Sequence, residues 1–386
     1  MRVLGAFLVL IPAALLLYAY LGYPAIMALA ARFRNRGLPT GDPAEWPDIT
    51  ITLPVYNEER IIGPTIDSLL ATDYPPERRH VLVVSDASTD RTDEIVGRYA
   101  DRGVQLLRLP ARSGKTAAEN AASAQVHHSI IVNTDASTRI IPGSLKALVR
   151  VFQDPVIGLA SGRDVSVGDV KREGNYAESG YVGYEMWLRS LETRAGSIVG
   201  ASGCFYALRR GLFDVLFPAA LSRDFAAALI ATERGFRAVS VHDAVCLVPR
   251  TQSLRAEYRR KVRTMARGLE TLWYKRHLLS LKRPLFGFEL LSHKLIRWVV
   301  FLVAPLGPIG LMLLAPDVLW ARWALAAGFL GLLMAGTALA LPEGRKLPWP
   351  LAVAGFVAIS LVAGFFAWIK VLRGELSPTW EPTRRG

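Results

Sequence analysis

The chain is short of cysteine, of acid and, over long stretches, of any charge. Its two cysteines, Cys204 and Cys246, both sit in apolar settings, so no disulfide framework is expected. Asp and Glu number 33 against 46 Lys and Arg, which leaves a formal net charge of +13. A nucleic-acid partner is the first reading of such an excess. The bases, however, gather beside apolar segments and in residues 255–283, a pattern of membrane-surface and phosphate contacts. There is no fixed-period repeat and no low-complexity tract. The paired glycines of a phosphate-binding ATPase loop are also missing, which weakens an ATPase reading.

Charge is almost absent from residues 3–31, 298–316, 318–342 and 349–369, where Arg322 is the only base. Each stretch is long enough for a helix of ~20 residues across a hydrocarbon core of ~30 Å. With 51% hydrophobic residues and a mean hydropathy of +0.26, the chain reads as a membrane protein. So few ionisable groups in the spans count against a transporter or channel. The first span exceeds a signal peptide's apolar core, and Arg32, Arg34 and Arg36 follow it, which places the next region in the cytoplasm. Pro305, Gly307, Pro308 and Gly310 interrupt the second span, which leaves crossing and re-entry both open.

Between the first two spans lies enough chain for one α/β domain. Apolar runs at 49–55, 81–86, 105–109 and 129–134 predict strands, and helical spacing marks 58–71, 90–102 and 114–127. This alternation predicts a parallel sheet with helices on its faces. Beyond it, a strand near 157–161, helices at about 174–194 and 223–234, and a turn-rich stretch at 196–204 are expected. Residues 255–295 mix bases with Trp273, Tyr274, Leu278, Phe286 and Phe288, which suits helices in the membrane interface.

Ligands of an open α/β sheet bind beyond the carboxyl ends of its strands. Three polar loops follow such ends: Pro54-Val55-Tyr56-Asn57-Glu58-Glu59, Ser85-Asp86-Ala87-Ser88-Thr89-Asp90, and Asp135-Ala136-Ser137. Singly, Asn57, Asp90 and Ser137 each suit a helix N-cap. Three such loops on one edge make a ligand site the better reading. Carboxylates there suit a nucleotide diphosphate held through Mg²⁺ or Mn²⁺. Lys115, in Arg112-Ser113-Gly114-Lys115 before a helix, reads either as a nucleotide contact or as a solvated basic turn.

These segments, with Asn120 and Thr134, resemble in this order a membrane-bound family 2 glycosyltransferase of the cellulose, hyaluronan, chitin and poly-N-acetylglucosamine synthase kind. The resemblance covers about residues 48–270 and the flanking spans. It implies the GT-A fold and inverting sugar transfer from a nucleotide sugar. Pro54, Tyr56, Glu58 and Asp86 should hold base and ribose, and Asp135 should face the ribose and the metal-bound diphosphate. Asp224 in Leu221-Ser222-Arg223-Asp224-Phe225 takes the place of the catalytic base, or else caps the helix after it. Gly203 and Cys204 match the acceptor-facing stretch, although Cys204 also suits a packed core. His242, at a strand end, is a conceivable extra metal ligand and more simply structural.

The chain departs from the family pattern at three places. Ser137 stands where a second Asp is usual, and Arg223 where the first acid of the base pair is usual. Lys261, Thr264 and Met265 replace the glutamine, arginine and tryptophan of a motif that grips the diphosphate. Arg260 and Arg263 are the remaining candidates for that contact, or they meet anionic lipid headgroups. Residues 377–385 resemble a tail common after the last span. The expected division is an anchor at 1–36, a cytoplasmic GT-A domain at 48–254, interface helices at 255–297, a membrane region at 298–372 and a tail at 373–386. The expected partners are a nucleotide-sugar donor, UDP-linked by preference, a growing glycan or lipid-linked acceptor, and membrane lipid. Two other functions fit the same residues: a polyprenyl-phosphate glycosyltransferase, and a weakly catalytic nucleotide-sugar-binding subunit of a polysaccharide assembly.

Overall fold

Apolar, largely β-branched runs that end on polar turns give the core strands, and the backbone follows them. The computed structural model describes residues 1–167, 176–249, 253–280, 282–342 and 347–375. The strands are β1 (Ile49–Val55), β2 (Arg79–Ser85), β3 (Val104–Arg108), β4 (Ile130–Thr134), β5 (Arg139–Ile140), β6 (Ile157–Val167), β7 (Phe205–Arg209) and β8 (Arg237–Pro249). They form one sheet in the order β3-β2-β1-β4-β7-β6-β8-β5. The first four are parallel, with Val55 level with Ser85 and Ser85 level with Arg108, so their carboxyl ends share a rim.

Side chains alternate across this sheet, as a period of two requires. Ile49, Ile51, Leu53, Val81 and Val83 pack in one layer with Ile62 and Ile66 of helix Ile62–Leu70. Leu82, Val84 and Ile131 pack in the other with Ala118 and Ala122 of helix Lys115–Ser123 and Ala227 of helix Arg223–Glu233. Each fully buried aliphatic side chain contributes about 1.5–3 kcal/mol. These layers therefore hold the rim loops on a rigid base.

The second half of the sheet is mixed. β7 runs antiparallel to β4 and to β6, β8 is parallel to β6, and β5 is antiparallel to β8. β6 extends to Val167, beyond the expected 157–161, because pairing with β8 continues after its burial fades. The helix expected over 90–102 is shorter: Thr92–Gly97, then a 3₁₀ turn at Ala100–Arg102. Gly97 lowers helix propensity within that stretch.

Among the described residues, three helices are long and apolar enough to cross a membrane: Arg2–Arg34, Leu319–Ala340 and Trp349–Leu372. A further candidate is the pair Pro284–Val303 and Leu306–Leu314, bent by 48°. The bend falls at Pro305, which has no backbone N–H to donate. Leu306–Leu314 packs on the first helix so closely that a Cβ on Gly310 would lie 2.7 Å from the Gly5 carbonyl oxygen. The Arg34 end of that first helix meets the domain, through Tyr23, Met27 and Ala31 against Leu188 and Leu191. Trp349–Leu372 runs instead beside the charged helix Leu254–Tyr274. Gly355 faces Leu254, Phe356 lies 4.3 Å from Lys261 Nζ, and Ala367 packs on Ala266 and Leu269. The tail resemblance at 377–385 lies outside the described residues.

Candidate active site

The loops after β1 and β2 are laced together by side chains. Asn57 Oδ1 accepts the Thr89 N–H at 2.8 Å, and the Asp90 carboxylate accepts the N–H groups of Glu59 at 3.1 Å and Thr92 at 3.0 Å. Asp90 thus serves the first turn of helix Thr92–Gly97, as its cap reading suggests, while Asn57 staples two loops. Asn57 (φ 54°) and Ala87 (φ 58°) both adopt left-handed backbone at this edge. Such conformations cost most side chains free energy and persist only where the surroundings hold them.

Asp86 ends β2 fully buried and does not line the cavity described below. Its carboxylate accepts the backbone N–H groups of Ser113 at 2.6 Å and Gly114 at 2.8 Å. Gly114 has φ 94°, a backbone conformation that glycine reaches without a Cβ clash. Asp86 therefore fixes the turn that launches helix Lys115–Ser123, and so aims Lys115.

Lys115 Nζ donates to Asp135 Oδ1 at 2.5 Å and to the Gly203 carbonyl at 2.9 Å. Burial alone would lower the Lys115 pKa, but Asp135, Glu119 and Asp224 together hold it above the ordinary lysine value. Ser222 Oγ donates to Asp224 Oδ1 at 2.5 Å, which fixes that carboxylate's rotation. The other oxygen, Oδ2, lies where a Cβ on Gly203 would approach to 2.7 Å, so a larger residue at 203 would displace the acid. Lys115, Asp135, Gly203 and Asp224 thus form one contiguous wall. Cys204 adjoins it through its carbonyl, which accepts the Thr134 hydroxyl at 3.1 Å. Neither Cys204 nor Cys246 is in a disulfide.

Two residues of this wall escaped the reading of the sequence. Glu119 is 1% exposed and lies one helical turn from Lys115, the spacing at which helix side chains meet. Burial raises its carboxyl pKa, even with Lys115 and Arg223 opposing. Arg223, 4% exposed, also borders the cavity: its Nε is 3.8 Å from Glu119 Oε2, and its guanidinium donates to Asn120 Oδ1 and to the Phe213 carbonyl. Arg267 is the second. It donates to the carbonyls of Ala219, Ala220 and Leu221 and to the Thr116 hydroxyl, which ties down the loop before Asp224. The i,i+4 spacing from Lys115 was the only sequence signal for Glu119.

The wall and the outer loops border one cavity of about 1940 Å³. That exceeds the ~300–1,000 Å³ of a usual small-molecule site. Pro54, Tyr56, Glu58, Lys115, Asp135, Ser137, Gly203, Cys204, Asp224, Arg260 and Arg263 all line it. Arg112 stacks over the Tyr56 ring at 4.0 Å. Arg260 makes a two-pronged pair with Glu257, at 2.7 and 2.8 Å, on helix Leu254–Tyr274. His242 is exposed beside Asp243 and does not border the cavity.

Among the described residues no cluster of three or more His, Cys, Asp or Glu could hold a metal alone. The oxygen donors at the wall, Asp135 with Ser137 near it, still suit a hard divalent ion. Mg²⁺ commonly takes one or two carboxylates and completes its shell from phosphates and water.

The same division of elements is met in known proteins. Residues 50–217 match the family model "Glycosyl transferase family 2". An N-acetylglucosaminyltransferase of Rhizobium sp. (strain N33) is 27% identical over 61% of this chain and 55% of its own length. A beta-monoglucosyldiacylglycerol synthase of Synechocystis sp. is 32% identical over 31% of this chain and 26% of its own. The chain thus spans about half, or less, of the length of these curated relatives. A mannosyltransferase of Pyrobaculum calidifontis, solved in complex with GDP-Man and Mn²⁺, superposes with a TM-score of 0.74 at 24% identity. It covers 96% of this chain and 99% of its own. That likeness establishes the fold, a mixed GT-A sheet with flanking helices.

Proposed function

We propose, from the premise that this chain carries a family 2 glycosyltransferase domain, that it moves a sugar from a nucleotide sugar, with inversion, to an acceptor borne by a membrane lipid. One observation carries the acceptor class. The cavity that holds Asp135 and Asp224 also reaches Leu16 and Tyr20 of the first apolar helix and Phe356, Val357 and Leu361 of the apolar helix Trp349–Leu372. A soluble acceptor has no use for that apolar end.

Pro54, Tyr56 and Glu58 hold base and ribose in this reading, and Asp86 acts from behind by setting the Lys115 turn. Asp135, with the diphosphate, would hold Mg²⁺ or Mn²⁺, which supplies positive charge to the leaving group. Lys115 supplies charge to the same group, and Arg260 and Arg263 lie on the cavity wall for it. Gly203 leaves room for an acceptor hydroxyl beside Asp224. Asp224 takes the hydroxyl proton as the acceptor oxygen bonds to the anomeric carbon. The bond from that carbon to the diphosphate oxygen breaks, and the nucleoside diphosphate leaves. Attack opposite the leaving group inverts the anomeric centre. Arg32 and Arg34 in the last turn of the first helix, with Arg36 just beyond it, favour the cytoplasmic face for the domain.

The test is transfer of label from a panel of UDP- and GDP-sugars in membranes holding the protein, followed by chloroform–methanol partition. Label should enter the organic phase, and Asp224→Asn should cut the rate by about a hundredfold or more, the usual weight of a general base. An Asp224→Asn enzyme as fast as its parent, or label confined to the aqueous phase, would refute the reading.

A further inference from the structure

The membrane end of the cavity holds a cluster that the transfer chemistry does not use. Glu185, on helix Tyr176–Ala195, is met by four basic side chains. Arg297 Nη1 lies 2.8 Å from its carboxylate, His293 Nε2 2.7 Å, Arg189 Nε 3.9 Å and Lys294 Nζ 4.0 Å. His293 turns its other nitrogen, Nδ1, to Glu192 at 2.5 Å, where the Tyr23 hydroxyl also donates. One carboxylate cannot satisfy so many donors. Arg189 Nη1 and Arg297 Nε are buried and have no acceptor among the described residues. Both residues are nine-tenths or more buried, at 9% and 4% exposure, and both border the cavity.

The cluster bridges the two ends of that cavity. Toward the sugar site, Lys294 Nζ lies 5.7 Å from the ring of Phe225, the neighbour of Asp224, and close beside Gly200. Toward the membrane, the Arg297 guanidinium stacks over Tyr20 of the first membrane helix at 5.1 Å. Trp298, Val300 and Phe301 continue the wall into apolar surface. Cations and unsatisfied guanidinium N–H groups on one side, with an apolar passage on the other, match an anion tethered to a hydrocarbon chain.

We propose that Arg189, Lys294 and Arg297 form a binding site for the phosphate or diphosphate of a lipid-linked acceptor. The site anchors the lipid headgroup and leaves its hydroxyl-bearing portion beside Asp224. The hydrocarbon chain leaves between the first membrane helix and the Phe356–Leu361 segment. Glu185 holds the cations apart and in place until the anion arrives. This inference rests on the lipid-borne acceptor argued above, and binding without any donor sugar separates its failure from that of the transfer reaction.

The experiment is native mass spectrometry of the full chain from detergent, with farnesyl phosphate, farnesol and inorganic phosphate as probes. Farnesyl phosphate should bind at least about tenfold more tightly than either fragment, because headgroup and chain each contribute. Lys294→Met should weaken it about tenfold, the worth of one charge-assisted hydrogen bond. Nucleotide binding by the same variant should persist, which shows that it is folded. Glu185→Gln should tighten farnesyl phosphate binding, since it removes the competing negative charge; a merely damaged site would not gain affinity. Equal binding of farnesol would overturn the phosphate site, and equal binding of inorganic phosphate would overturn the lipid tether. Unchanged binding by Lys294→Met, or weaker binding by Glu185→Gln, would overturn the assignment of residues.

Discussion

Arg223 occupies a place where the family resemblance implies an acid, and its charge is answered from another helix by Glu119. The sequence displays the substitution but not its compensation, because the two residues are far apart in the chain and meet only once helices Lys115–Ser123 and Arg223–Glu233 pack on the same sheet face. Their pairing keeps Asp224 next to a balanced interior rather than a lone buried cation. Removing one partner of a buried ion pair typically costs about 3–5 kcal/mol. Arg223→Met is therefore expected to lower stability by about 3 kcal/mol, and Glu119→Gln in the same chain to recover most of it, read by thermal unfolding in detergent. The pH dependence has a definite sign. Glu119 has its pKa raised by folding, so its contribution is most favourable below the unfolded carboxyl's value and declines as pH rises toward the folded one. Glu119→Gln should flatten that decline. A decline of equal slope in both proteins would show that another group carries it.

At the scale of elements, the rim was legible and its wiring was not. Alternating apolar residues in β1, β2 and β4 fixed which loops converge, since parallel strands in register must end together. The hydrogen bonds of Asp86 could not be read this way. A carboxylate at a strand end serves a ligand and a neighbouring backbone equally well, and only the position of residues 113–114 decides that both oxygens meet amides. Helix Leu254–Tyr274 is similar: its bases were plain, but not that Arg267 turns back to the loop before Asp224 while Arg260 pairs with Glu257. Asp86→Asn keeps shape but offers one acceptor in place of two, so either Ser113 or Gly114 loses its partner. An unmet buried donor costs about 1–3 kcal/mol. Nucleoside diphosphate affinity, measured by titration calorimetry, should fall about tenfold as Lys115 loses its fixed approach. Unaltered affinity would mean that the turn is held by other contacts.

For the whole molecule, the decisive question is how often the chain crosses the bilayer. Hydropathy offers four apolar stretches after which the C-terminal segment would face away from the domain. The packing argues for three crossings. Arg2 pairs with Asp317 at 2.8 Å, so the bent segment Pro284–Leu314 arrives at the end of the first helix remote from the domain. Leu319–Ala340 then returns, and its Ala338 meets Gly355 beside Leu254. From there Trp349–Leu372 follows helix Leu254–Tyr274, with Trp368 donating to the Trp298 carbonyl at 2.8 Å, at the level where the bent segment begins its descent. Because it touches the domain-side helix near both of its ends, Trp349–Leu372 is expected to lie along the membrane surface, although it is long and apolar enough to cross. It also roofs the apolar end of the cavity, which a crossing helix would leave open on that side. Cysteines placed at Pro316, Leu341 and Gly374 can be labelled with an impermeant maleimide in sealed vesicles and located by peptide mapping. Positions 341 and 374 should label from the domain's face and 316 from the other. Labelling of 341 and 374 from opposite faces would make Trp349–Leu372 a true crossing and remove it from the roof of the acceptor site.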